Sequence, residues 1–287
     1  MASHLEPLTR VWHWPYRNMR IPKVGLEFIR IPAGKVLLGT NKGGWIHASE
    51  RPMHQVELPS FLIMESPLTK AQVATIIGED SSDNSSYEGM DLDTLQSVCN
   101  IISKHFEDEV RAPSESEWTH SQNEIQLPAG LTEFLADEST GNHRGARMDG
   151  RPREGDLLGP MAGHRVAFAS HPKNENVRAR FSTPADRSLP KVVARLVISP
   201  KRSGDDIRVP DTADFGANVR SELLWTTLLG IIPSFTIPIF RGFSSYAIDG
   251  WANLLFGGLC AGFVTGAFWR PKRATWFVEE GKLIRRR

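Results

Sequence analysis

Cysteine, histidine and paired carboxylates are the side chains best placed to do chemistry, and this 287-residue chain holds two cysteines and nine histidines. Cys99 and Cys260 supply neither a disulfide framework nor the four thiolates of a zinc or iron–sulfur site. The histidines contain no His-Glu-x-x-His, no His-x-His and no i, i+4 pair, so metal-assisted hydrolysis has no local signature. Gly39-Thr40-Asn41-Lys42-Gly43-Gly44 lacks the Lys-Ser/Thr ending of a phosphate loop and reads as a turn. No Gly-x-Ser-x-Gly elbow is present. Asp205-Asp206 reads as solvated charge in a linker-like stretch. The most suggestive polar segment is Asp137 to Asp156, rich in Gly and Arg. Arg144, Arg147, Arg151 and Arg153 are suited to grip a phosphate or an acidic partner. The same composition also fits a surface loop whose acids offset its arginines.

The elements that position these residues are unevenly distributed. Lys+Arg is 34 against 33 Asp+Glu, a formal net charge of +1, which removes any bulk electrostatic argument for nucleic acid. Apolar residues instead concentrate near the C-terminus. Leu223 to Phe240 (LLWTTLLGIIPSFTIPIF) and Gly250 to Trp269 (GWANLLFGGLCAGFVTGAFW) carry no charge. At about 1.5 Å per residue these runs extend roughly 27 and 30 Å, the thickness of a bilayer's hydrocarbon core. Trp225, Trp251 and Trp269 sit near the ends, where interfacial anchors belong. Pro233 and Pro238 are expected to kink the first span. A buried hairpin in a soluble fold is the other reading, but neither run shows the polar stripe of a long soluble helix.

Gly258, Gly262 and Gly266 recur every four residues and open one face of the second span to close helix approach. The first span, a second copy of the chain, or another membrane protein would fit there. Without an ionisable pair inside the spans, an anchor is expected rather than a channel. Arg270, Lys272, Arg273, Lys282, Arg285, Arg286 and Arg287 place the tail on the cytoplasmic side, and two spans return the preceding chain to that side. This tail is also suited to meet anionic membrane lipid. No signal peptide is expected at the N-terminus. The organisation read from sequence is an aromatic and basic arm (1–25, with Trp12, Trp14, Tyr16, Arg17 and Arg20), a globular domain (26–200), a charged linker (201–220), the hairpin (221–270) and a basic tail (271–287).

Within 26–200, Leu26 to Ile31, Val36 to Leu38, Val56 to Leu58 and Phe61 to Met64 read as short strands around turns. Thr69 with Gln72 and Ser114 with Glu117 are capping boxes that start helices, and Leu68 with Val73 forms a staple. Leu92, Leu95, Val98, Ile102 and Phe106 fall on one helical face, with Cys99 beside it as a small core residue.

These segments, in order, resemble the formylglycine-generating enzyme (sulfatase-modifying factor) family. Phe28 to Gly34 with Leu38-Gly39 is similar to its "F..IPAG.F.MG" opening, and Glu50 to Val56 to its "E.P.H.V". Pro67 to Val73 resembles "PVTNAQY", and Arg111 to Trp118 resembles "RLPTEAEWE". Gly130 to Asp137 and Val193 to Arg195 are worn versions of later motifs. The resemblance implies an α+β, C-type-lectin-like domain in which Glu117 is a reciprocal cap, Trp118 a core ring, Glu133 and Arg195 internal polar contacts, and His54 structural. Family oxidases hold copper with paired cysteines in the C-terminal half of the domain. No cysteine lies between Cys99 and Cys260, so that chemistry has no ligands here. Calcium near Asp137 is compatible with the resemblance. The expectation is a noncatalytic binding or scaffold subunit at the membrane, joined to a protein partner or homo-oligomer through the second span. The alternative is a membrane-bound oxidoreductase or protein-modifying enzyme with an unrecognised site.

Overall fold

The apolar runs between Leu26 and Met64 fold as the strands their pattern suggests, and Asn18–Ile21, read from sequence as part of the arm, with Arg20, pairs with Leu26–Ile31 as a further strand. A computed structural model describes residues 18–155, 163–204 and 206–286. Trp12, Trp14, Tyr16, Arg17, Asp156, Asp205 and Arg287 lie outside the described residues. The chain forms two units. One comprises Met1–Val36, Val56–Thr140 and Arg147–Asp206, and the other Leu37–Gln55, Gly141–Ala146 and Ile207–Arg287.

The first unit mixes sheet and helix. Its larger sheet takes β1 (Asn18–Ile21), β2 (Leu26–Ile31), β5 (Phe61–Met64), β6 (Glu109–Arg111) and β11 (Val197–Ser199) in the order β1-β2-β5-β11-β6, all antiparallel. β3 (Gly34–Leu38) and β4 (His54–Leu58) fall between β2 and β5 in sequence. A second sheet has the order β10-β7-β8-β9, built from β7 (Thr132–Glu138), β8 (His164–His171), β9 (Asn174–Pro184) and β10 (Val192–Val193). All four β5 side chains are buried, the signature of a strand covered on both faces.

Three helices complete the unit. α1 (Lys70–Ile77) starts on the Thr69 capping box: the Gln72 N–H donates to Thr69 Oγ1 and the Thr69 N–H donates to Gln72 Oε1. It ends at Gly78, whose φ of 88° supplies the left-handed turn that stops a helix. α2 (Leu92–Ser103) buries Leu95, Val98, Cys99 and Ile102. α3 (Glu115–Ser121) starts on the Ser114 box. Phe28, Leu62, Leu68, Val98, Phe134 and Leu196 join one core cluster with Val73, so both staple residues are buried.

The second unit is built on apolar helices. α4 (Phe215–Thr226), a π-helical turn (Thr227–Ile231) and α5 (Ile232–Phe240) run on as one helix of 26 residues. It begins two turns before the charge-free run, so Arg220 and Glu222 ride on its base. The wide π turn ends two residues before Pro233. It relieves the clash of the proline ring with the carbonyl one turn earlier, which is how this helix absorbs the proline. After α6 (Ser245–Asp249), α7 (Trp251–Phe268) returns. The basic residues that follow do not trail off. β12 (Thr275–Glu279) and β13 (Lys282–Arg286) pair through five residues around Glu280 and Gly281, both at positive φ, a hairpin turn. Trp276 on β12 bridges in parallel to His54.

Candidate functional site

The hallmark residues of the first unit form two buried ionic groups. At the start of α3, Arg111 donates from Nη1 to Glu117 Oε2 (2.7 Å) and from Nη2 to Oε1 (2.9 Å), a two-pronged pair. The same Oε2 accepts the Ser114 N–H at 2.8 Å, closing the capping box. Burial alone would lift the Glu117 carboxyl, but Arg111, Ser114 and Ser199 hold it below its ordinary value. Deeper, Arg195 donates Nε to Glu133 Oε1 (2.5 Å) and Nη2 to Oε2 (2.7 Å). Its remaining donors reach the carbonyls of Met64, Glu65 and Gln126. Trp118 Nε1 donates to Glu133 Oε2 at 3.0 Å, and its ring stacks on Phe168 at 3.9 Å. Arg195 and Glu133 are completely buried. With each charge enclosed and paired, these groups brace the fold.

Copper needs thiolate donors, and the two thiols do not fit it. Cys99 is buried in α2, where burial pushes its thiol up to about 12, away from the thiolate. Cys260 is exposed on α7, in the other unit. Among the described residues no group of three or more His, Cys, Asp or Glu is arranged to hold a metal ion. His54 is buried, its Nδ1 donates to the Pro52 carbonyl at 3.2 Å, and its ring meets that of His143 edge-on at 5.3 Å.

The four loop arginines are not brought together into one grip. Arg144 belongs to the second unit and donates Nε to the Ala213 carbonyl at 2.9 Å. In the first unit, Arg147 donates to Asp206 (3.1 Å) and to the Pro152 carbonyl (2.8 Å). Arg151 donates to Asp149 at 2.6 Å and lies 3.5 Å from Asp206, so it shares that acid with Arg147. Arg153 gives its backbone N–H to Asp137 Oδ1 at 2.8 Å. The other Asp137 oxygen accepts the Glu115 N–H at 2.6 Å. Burial, aided by the Glu115 charge, pushes the Asp137 carboxyl up to about 6 against those two bonds. A polar cleft of about 470 Å³ lies elsewhere in this unit, lined by Gln122, Asn123, Gln126, Glu175, Asn176 and Arg178. Arg178 spends its guanidinium on the carbonyls of Gln122 and Ile125.

In the second unit the three spaced glycines all lie on the side of α7 that meets the first apolar helix. A Cβ on Gly258 would stand 2.6 Å from the Gly230 carbonyl oxygen, and one on Gly262 would stand 3.2 Å from Thr226 Cα. One on Gly266 would strike the Arg270 guanidinium. That guanidinium is buried, donating to both oxygens of Glu222 (2.9 and 2.7 Å) and to the Gly262 carbonyl (2.8 Å). Trp225 and Trp269 meet edge-to-face at 4.8 Å, and Trp251 Nε1 donates to the Ser234 carbonyl at 3.0 Å. Outward, the helices present bare apolar side chains: Phe256 is 70% exposed and Leu223 67%, while Phe263 meets the Trp45 ring edge-on at 4.2 Å.

The glycine contact makes a test. Gly258→Val drives a branched side chain into the Gly230 backbone, so the helices must part, at a cost of about 1–3 kcal/mol. Gly257→Val, one residue away with nothing within 4 Å, is the matched control and is expected to stay within about 0.5 kcal/mol. Thermal loss of helical circular dichroism from the full chain in mild detergent reads the difference.

Residues 20–113 match the family model described as a sulfatase-modifying factor enzyme 1-like domain. Among solved structures, PvdO from Pseudomonas aeruginosa is similar at 13% identity and a TM-score of 0.48, covering 63% of this chain and 97% of that one. Treponema denticola variable protein 1 is similar at 17% identity and a TM-score of 0.43, covering 64% and 99%. A comparison with curated proteins found no match.

Proposed function

We propose that this chain is a membrane-anchored, noncatalytic sulfatase-modifying-factor-like protein whose C-type-lectin-like domain serves as a binding or scaffold subunit. The observation that carries the reading is the exposed apolar surface of the two helices. Both are long and apolar enough to cross a membrane, and Leu223, Phe240, Phe256 and Phe268 stand bare on them. A water-facing patch of that extent is unfavourable, so lipid or another apolar surface covers it. The noncatalytic part is supported by the donor chemistry: one thiol is protonated by burial, the other sits in an apolar helix, and the hallmark carboxylates Glu117 and Glu133 are each paired with an arginine.

The basic residues after Trp269 favour placing the domain and the tail on the cytoplasmic side. The glycine face of α7 is taken by the first helix, so a partner subunit or second copy meets the outer face around Phe256. Calcium, if bound, has Asp137 as its nearest candidate.

Alkaline carbonate extraction of membranes carrying the full chain is the test of the anchor. The chain is expected to remain with the membrane pellet, and its release into the supernatant overturns the reading. The purified chain incubated with a cysteine-bearing sulfatase peptide and copper is expected to make no formylglycine, and formation of the aldehyde overturns the noncatalytic assignment.

A further inference from the structure

A cleft of about 700 Å³ opens in the second unit beside the base of the first apolar helix. Asp214, the N-cap residue of α4, and Ser221 and Trp225 within α4 line it. Trp276 and the cations Lys272 and Arg285 line it as well, with Arg220 at its edge on α4. Arg220 and Lys272 are exposed and make no ion pair among the described residues. The Arg285 guanidinium lies over the Trp276 ring, 5.9 Å from its centroid. Arg270, one residue before Pro271, contrasts with these three because its charge is already spent on Glu222.

The cleft also gathers buried polar atoms that have no hydrogen-bond partner. Both carboxylate oxygens of Asp214, the Ser221 hydroxyl and the Trp276 indole N–H are among them. Asp214 is 6% exposed, and burial pushes its carboxyl up against the pull of Arg285, Arg273, Arg51 and Arg144. Buried polar groups in folded proteins are nearly always satisfied, so four orphaned atoms on three residues of one cleft's lining mark a place that a polar ligand completes. Its chemistry is legible from the lining. Unpaired cations call for a phosphate, and an orphaned carboxylate beside them calls for a hydroxyl or ammonium donor on the same ligand. Leu224 and Trp225 then carry the cleft onto the bare apolar face of the helix.

We infer that this cleft binds an anionic glycerophospholipid by its headgroup. The phosphodiester lies against Arg220, Lys272 and Arg285, a headgroup hydroxyl donates to Asp214, and the acyl chains follow the exposed helix past Leu224. The inference rests on the membrane reading above and adds a specific lipid site to it.

Native mass spectrometry of the full chain released from mild detergent tests it, with phosphatidylglycerol, phosphatidylcholine and soluble glycerophosphoglycerol as probes. Phosphatidylglycerol adducts are expected to persist where phosphatidylcholine adducts do not. The triple variant Arg220→Gln/Lys272→Gln/Arg285→Gln is expected to weaken phosphatidylglycerol binding about tenfold or more. Lys282→Gln/Arg286→Gln, which removes charge on β13 outside the cleft lining, is expected to leave it unchanged. Equal retention of the two lipids overturns the site, as does equal loss in both variants, which is diffuse attraction. Glycerophosphoglycerol binding as tightly as the lipid overturns the lipid assignment in favour of a soluble phosphoester. Carbonate extraction separates this from failure of the anchor: a triple variant that stays in the pellet while losing lipid selectivity has lost the cleft alone.

Discussion

Arg195→Met is expected to destabilise the first unit by about 3–5 kcal/mol, because it strands Glu133 as a lone charge in the interior. The methionine fills much of the volume but returns none of the five donors. The Glu133 carboxylate keeps only the Trp118 indole, and the carbonyls of Met64, Glu65 and Gln126 lose their partner. The double variant Arg195→Met/Glu133→Gln separates charge from packing. Its amide oxygen still accepts from Trp118 while no buried charge remains, so about half or more of the loss is expected to return. Urea unfolding of the full chain in mild detergent, compared across the two variants, gives the measurement. A single variant as stable as the parent removes the buried pair as a determinant of this fold.

Glu117→Gln is expected to cost about 3 kcal/mol near neutral pH, and the loss should shrink on acidification. Glutamine keeps the capping box, since its amide oxygen accepts the Ser114 N–H as Gln72 does for Thr69. What disappears is the charge that faces Arg111. The folded carboxyl titrates below its unfolded value, so in acid the unfolded chain takes up a proton that the folded chain refuses. The stabilisation is therefore complete above the ordinary carboxylate range and is lost as pH falls through the folded value. Unfolding midpoints measured from about pH 7 down to about pH 3 should converge for parent and variant. Parallel curves would assign the loss to packing rather than to ionisation.

Much of the first unit was legible because its signals are local. Leu26–Ile31 and Phe61–Met64 form the strands that their apolar residues and flanking turns indicate, the second as a continuous run, and both capping boxes close as the residue types require. Glu117 as a cap and Glu133 with Arg195 as internal polar contacts followed from the resemblance, and the family-model match ends at Pro113, inside the Arg111–Trp118 motif and ahead of the worn ones. The two-pronged grip of Arg111 on Glu117 was not anticipated, since the spacing alone does not distinguish a surface pair from a buried one. The second unit was harder to read. Its first helix starts at Phe215 because Arg220 and Glu222 lie on a helix that a charge-free window cannot see. Thr275 to Leu283 carried a strand signal, aromatic and β-branched residues around Glu280-Gly281, that the surrounding arginines masked. The approach of Gly44 to the carbonyls of Ala267 and Phe268 has no local signature, because it joins segments far apart in the chain. Asp214 and Trp276 escaped notice for the same reason.

The clamp of Arg270 on Glu222 and on the Gly262 carbonyl sets how this anchor is able to move. A piston stroke of one helix past the other would drag an opposed guanidinium and carboxylate apart and leave the buried Arg270 charge without its partner. Sliding is thereby blocked, while tilting of both helices together leaves the clamp whole. In the anchor proposed above, the two helices therefore move as one body, because shifting one without the other has to break this ion pair.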